Sequence, residues 1–140
     1  MTFQLNIKTP ADLAAEAQAA LVARVNPERE RRLNAGSTFA VPGLSEPIPL
    51  TGRPMDQSVY LALLMRAQGA KAAGITDPVL TVRDGADVIQ MLTPDQMIAL
   101  ITQAMNWFEA VMRVSWNMKD GVAPFEDGVP ADFADDQYWP

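Results

Sequence analysis

The chain has 140 residues, 49% hydrophobic, 20% charged and 7% aromatic, which fits one ordinary globular domain and excludes disorder along its whole length. It contains neither Cys nor His, so thiol nucleophiles, disulfides, thiolate or imidazole zinc sites, Ser-His triads and histidine pH switches are excluded, and no metal or cofactor is expected. The formal net charge of −6 argues against sequence-independent binding to nucleic acid, and residues 119–140 hold −5 of it, so the body is close to neutral and the end is acidic.

Residues 3–7 (Phe-Gln-Leu-Asn-Ile) alternate apolar and polar, the pattern of a half-buried strand or an extended arm. Thr9 then reads as a helix N-cap, with Pro10 in the first turn and Asp12 at the third position, where a carboxylate suits the helix dipole. An Ala-rich helix with a thin apolar face is expected from Pro10 to about Val25. Asn26-Pro27 leaves two readings: a second short helix capped by Asn26, or one helix that continues past the proline with a kink. Glu28-Arg-Glu-Arg-Arg32 reads as a solvated surface, and Asn34-Ala35-Gly36 ends the helix.

Five Pro and Gly residues between Ser37 and Arg53 exclude a helix there, and Phe39–Val41 with Ile48–Leu50 predict a hairpin turning at Pro42–Ser45. A second helix runs from Pro54 or Asp56 to Ala73, with Val59, Tyr60, Leu63, Leu64 and Ala67 as its apolar stripe. Val79–Val82 and Val88–Met91 predict a second hairpin around Asp84-Gly85. Thr93-Pro-Asp-Gln96 is a capping box that opens a last helix to about Lys119. The fold class is therefore α+β, with three or four helices, the last one long, two short hairpins, a single domain over residues 1–120 and an acidic aromatic-bearing tail over 121–140.

The last helix is apolar over most of its circumference, interrupted by one polar stripe of Gln103, Asn106, Glu109, Arg113 and Asn117. A helix of that kind is covered on more than one side. Either it is a central core helix, or its second face meets a partner or another copy of the chain through Leu100, Trp107, Val111 and Val114. In the tail, Phe133, Tyr138 and Trp139 stand among carboxylates, which fits either a solvating end or a segment that docks its aromatics on a partner or on the chain's own core. Asp84 and Asp87, which flank a hairpin turn, and the adjacent Asp135 and Asp136 are candidate carboxylate pairs for acid–base chemistry, and turn formation and solvation explain them more simply. No run approaches the roughly 20 apolar residues of a membrane span, so a soluble protein made in the cytoplasm, with no membrane partner, is expected.

The order of features resembles a domain of unknown function found in bacteriophage tail-region and tail-fibre assembly proteins. The matching pieces are the Ala-rich helix leading to Arg29-Glu-Arg-Arg-Leu33, the Gly36-Ser-Thr-Phe-Ala-Val-Pro-Gly43 hairpin, Ile48-Pro-Leu-Thr-Gly-Arg-Pro54 with its helix, the Val79–Met91 hairpin and Leu92-Thr-Pro-Asp-Gln96. They cover roughly residues 8–118, and the closing Tyr138-Trp139-Pro140 looks like the endings of some tail-fibre assembly proteins. The resemblance implies a non-enzymatic chaperone or small structural subunit whose partner is a tail or tail-fibre protein. It would work in the host cytoplasm during assembly, with the virion tail as a second location, and the resemblance transfers no site residues. An acidic phage-encoded inhibitor of a host nucleic-acid-binding enzyme is the alternative that the net negative charge suggests, although that charge is confined to the end of the chain.

Overall fold

A computed structural model describes residues 1–2 and 5–140. In chain order it contains α1 (Pro10–Ala35), β1 (Ser37–Phe39), β2 (Ile48–Leu50), α2 (Pro54–Ala72), β3 (Leu80–Arg83), β4 (Ile89–Leu92), α3 (Pro94–Asp120) and a 3-10 turn at Asp136–Tyr138. The fold is α+β, with β1 and β2 antiparallel in one two-stranded sheet and β3 and β4 antiparallel in another. The expected strand at residues 3–7 lies partly outside the described residues, and residues 5–7 have no regular structure.

Thr9 begins α1 as expected, and Asp12 does more than meet the dipole. Thr9 Oγ1 accepts the Asp12 N–H, while the Asp12 carboxylate accepts the Thr9 N–H at 2.8 Å, completing a reciprocal box. The helix continues through Pro27 to Ala35, so the continuous reading holds. Proline at 27 removes only the N–H that would reach the carbonyl of Ala23, and both residues lie on exposed helix, where water is at hand. That continuation brings Val25 and Leu33 into the core.

Gly36 stops the helix at φ +74°, its N–H donating to the Arg32 carbonyl at 2.9 Å. A Cβ there would stand 2.1 Å from the Leu50 carbonyl oxygen, so glycine lets β2 close directly on the end of α1. The first hairpin pairs Ser37 with Leu50 and Phe39 with Ile48, two residues earlier on its first strand than the apolar pattern predicts. Val41 follows as buried loop. In the second hairpin, Leu80–Arg83 faces Ile89–Leu92, and the Asp84 carboxylate accepts from the N–H groups of Ala86 and Val88 and from the Gln90 amide. The left-handed residue of this turn is Asp87, at φ 64°, rather than Gly85. Gly85 instead donates its N–H to the Pro49 carbonyl at 2.7 Å and ties the hairpins together.

Thr93 and Gln96 cap α3 reciprocally, and Gly121 ends it in the left-handed conformation. The inward stripe Met97, Leu100, Ile101, Ala104, Phe108, Val111, Ser115 and Met118 recurs at three and four residues, so α3 is the spine against which α1, α2 and β1 pack. Residues 121–140 fold back over α1 and α3, and their buried Phe125, Val129, Phe133 and Trp139 belong to the same apolar cluster as the spine.

Candidate functional site

The residues expected to face a partner are covered by the chain itself. Leu100 and Val111 have no exposed surface, and Trp107 and Val114 are half-buried against the core, which corrects their assignment to an outward contact. The cover comes from two sources that the apolar pattern under-counted: α1 is ten residues longer than a helix stopped at Val25, and the tail packs inward. Trp107 meets Phe39 edge-on at 6.3 Å and donates its indole N–H to the Pro140 carbonyl at 3.3 Å.

Phe133 and Trp139 are likewise buried and Tyr138 half-buried, so this aromatic set is docked on its own core rather than offered to a partner. Gln18 holds the segment by a reciprocal pair: its amide donates to the Val129 carbonyl at 3.1 Å and accepts the Val129 N–H at 3.0 Å. Arg24 lies 5.4 Å from the Phe133 ring centre and Arg32 lies 5.0 Å from that of Trp139. Arg32 also donates to the Ala134 carbonyl and the Asp136 carboxylate at 2.7 and 2.9 Å. The Glu28–Arg32 run is therefore not simply solvated surface, because Arg32 lies under the tail's end and pairs with Glu28, the two side chains each 11% exposed.

What remains open is a groove on the opposite flank. The second half of α1 and the first half of α2 stand on either side of α3 and leave a hollow of 740 Å³ lined by Arg29, Leu33, Gln57, Leu61, Met105 and Met112, among others. It continues along α3 into a smaller hollow of 250 Å³ at Met105, Met112 and Trp116. The spacing places Met105, Met112 and Trp116 about 75 to 115° from the centre of the buried stripe, at 100° per residue, so they form a second apolar face. The sequence signal for them was the same all-round apolarity that pointed to Val111. Val59, expected in the inward stripe of α2, is also exposed, because Tyr60, Leu63 and Ala67 form the buried line.

Apolar side chains floor the groove, and Arg29, Glu30 and Glu109 are the charged residues that line it. Arg29 donates to the Asn26 side chain at 3.3 Å and lies 3.8 Å from Glu30, while its buried Nε has no hydrogen-bond partner. Glu109 pairs with Arg113 on the outer wall. At the start of α2, burial would raise the carboxyl of Asp56, but bonds from Thr51 and Arg53 outweigh it and hold the group below its ordinary value. Burial pushes the Tyr60 hydroxyl upward, and its ring stacks on Phe108 at 6.4 Å.

The carboxylate pairs have structural employment. Burial would raise Asp84, but the Gln90 amide and the N–H groups of Val88 and Ala86 lower it overall, the wrong direction for a general acid. Asp87 pairs with Arg83, and Asp136 with Arg32. Among the described residues no group of three or more Asp or Glu side chains is placed to hold a metal ion, and no helix is long and apolar enough to cross a membrane.

Comparison with known proteins adds one match. A family model described as a domain of unknown function, DUF4376, matches residues 16–137, most of the chain and including the folded-back segment. No curated protein and no solved structure matches.

Proposed function

The chain belongs to the DUF4376 family, and from that premise we propose that it is a non-enzymatic bacteriophage tail protein acting through protein–protein contacts in tail or tail-fibre assembly. The observation that carries the contact role is the open groove between α1 and α2, because its Leu33, Leu61, Met105 and Met112 offer apolar surface edged by the polar Arg29, Glu30, Asn34, Gln57 and Ser58, the apolar centre with a polar rim that protein interfaces show. Methionines on its floor suit that role, since their flexible thioethers adapt to the shape of what they meet. The phage setting rests on the resemblance of the helix, hairpin and capping motifs to tail-region proteins. An inhibitor that mimics nucleic-acid charge is less well supported. Its −5 charge sits on a segment whose aromatics are docked on the core and whose carboxylates are exposed but scattered along the chain, with Asp136 already paired with Arg32.

Tagged protein recovered from phage-infected cells should bring tail or tail-fibre components with it. Stoichiometric presence in purified virions identifies a built-in subunit, and presence in the lysate alone identifies an assembly factor. Recovery free of any tail component would overturn both forms.

A further inference from the structure

Residues 3–7 carry the alternation of a strand, yet among the described residues Leu5–Ile7 pairs with no strand of its own chain. Leu5 and Ile7 are 85% and 79% exposed, and the one backbone bond between them is a tight local turn from the Ile7 N–H to the Leu5 carbonyl. The reason is reach. Asn26 accepts a bond from Lys119 in the last turn of α3, and Gly36 lines a hollow with Trp107, so α1 runs antiparallel to α3 and its first turns project past the end of that helix. Every residue from Pro10 to Ala17 is exposed. At 1.5 Å per residue, about 24 Å of α1 and about 37 Å of α3 separate Pro10 from the hairpins, whereas the three residues from Ile7 to Pro10 span about 10 Å.

The second hairpin holds an unpaired edge of matching kind. The Asp84 N–H donates to the Val88 carbonyl at 2.9 Å, and antiparallel bonding alternates, so Val82 with Gln90 and Leu80 with Leu92 exchange the ladder bonds. Ile89 and Met91 therefore turn their N–H and C=O groups outward, and among the described residues nothing bonds those four groups. Their side chains are 56% and 61% exposed, with Val79 also exposed on the same outer face. The opposite edge, β3, presents Arg83, a charge of the kind that blocks edge pairing, and β4 has no charge. In the first sheet, Pro49 of β2 lacks an N–H and its carbonyl is taken by Gly85.

We propose that Leu5–Ile7 of one copy adds to β4 of another as a third, antiparallel strand, with Leu5 opposite Met91 and Ile7 opposite Ile89. Each pair exchanges two main-chain bonds and sets its apolar side chains together on the outer face. The lengths agree. Past Met91, the Thr93 N–H is taken by the Gln96 side chain and the Thr93 carbonyl by Met97, and ahead of Ile89 the chain turns at Asp87 with φ 64°, so the edge offers two outward pairs. On the arm, Thr9 is held in the cap of α1, which limits it at the same point. Arm and edge lie at opposite ends of the molecule, so each copy can give one arm and receive another. The contact uses neither the groove nor a tail component and goes beyond the function proposed above.

The test uses the full chain. Light scattering over a concentration series should show the mass rising above 15.3 kDa, and Leu5→Asp and Met91→Pro should each return it to that value with the helical circular dichroism signal intact. The hairpin itself tolerates proline at 91, because the N–H removed there points outward. The native chain has no Cys, so a Leu5→Cys chain mixed with a Met91→Cys chain carries one thiol on each side of the contact. Mild oxidation should join the two chains, since a bonded antiparallel pair holds its Cα atoms about 5.5 Å apart, within disulfide reach. Each of these chains oxidised by itself should stay uncross-linked. If Met91→Pro misfolds, the thiol mixture decides alone. A parent chain monomeric at every concentration, an assembly indifferent to both substitutions, or a mixture that cross-links no better than its components would overturn the arm pairing. An assembly that responds to one substitution only and yields no mixed cross-link overturns it too. A monomer that still recovers tail components removes the arm pairing and leaves the proposed function standing, whereas mixed cross-linking in a chain that recovers none does the reverse.

Discussion

Gly36 and Asp84 show how much of the fold hangs on single positions. Gly36 combines a left-handed backbone with a carbonyl 2.1 Å from where a side chain would begin, so Gly36→Ala meets both strain and collision. A loss of about 2 kcal/mol or more is expected, read as a lower urea midpoint with an unchanged slope. Asp84 is different in kind, because its contribution depends on pH. Its folded carboxyl lies below the ordinary 3.8, so the stability it adds is complete above that value and drains away as pH falls through the lower folded one. Unfolding followed from neutral pH into acid should show this decline setting in below about pH 5, and Asp84→Asn should flatten its share of the slope. An acid limb unaltered by that change would remove Asp84 from the account.

Elements announced themselves in the sequence where the signal was local. The two Thr caps, the two prolines that follow them and the Asp84-Gly85 turn each depend on neighbours within four residues, and each stands where the sequence predicts. Thr93→Ala should therefore cost about 1 kcal/mol, measurable in thermal unfolding. What was illegible is non-local. Nothing near Val111 says that Phe133 and Trp139 return to share its core, and nothing near Glu28 says that a distant backbone will bury Arg32. The apolar excess of α3 is visible in the sequence, but its periodicity does not tell a face covered by the chain from one open to a partner, so it leaves Leu100 and Val111 open to either reading, and the structure buries both while Met105 and Trp116 hold the open side. Gln18 belongs to the same class. As an exposed-looking polar residue in an Ala-rich helix it carries no local signal, yet Gln18→Ala removes two bonds from Val129. At about 1 kcal/mol per bond, the Val129 amide should exchange with solvent some tens of times faster.

At the scale of the whole molecule, the segment from 121 to 140 is structural despite its charge. Burial of Phe125, Val129, Phe133 and Trp139 at roughly 1.5 to 3 kcal/mol each is comparable with the entire 5–15 kcal/mol stability of a typical domain. Removing residues 121–140 should yield a chain that binds hydrophobic dyes and aggregates; a soluble, cooperatively folding remainder would show the segment to be merely solvating. The Gln18–Val129 clasp adds a demand of timing. Its two halves are 111 residues apart in the chain, and contacts of such separation form late because the loop they close loses the most entropy. Local helices and hairpins can assemble in microseconds, so the chain passes through an interval in which α3 is formed but one of its apolar faces has no lid. While that contact is unmade, the face of α3 that Phe133 and Trp139 cover is open, and the carboxylates of the same segment, which stay on the surface, give unfinished chains a like charge that keeps them apart from one another.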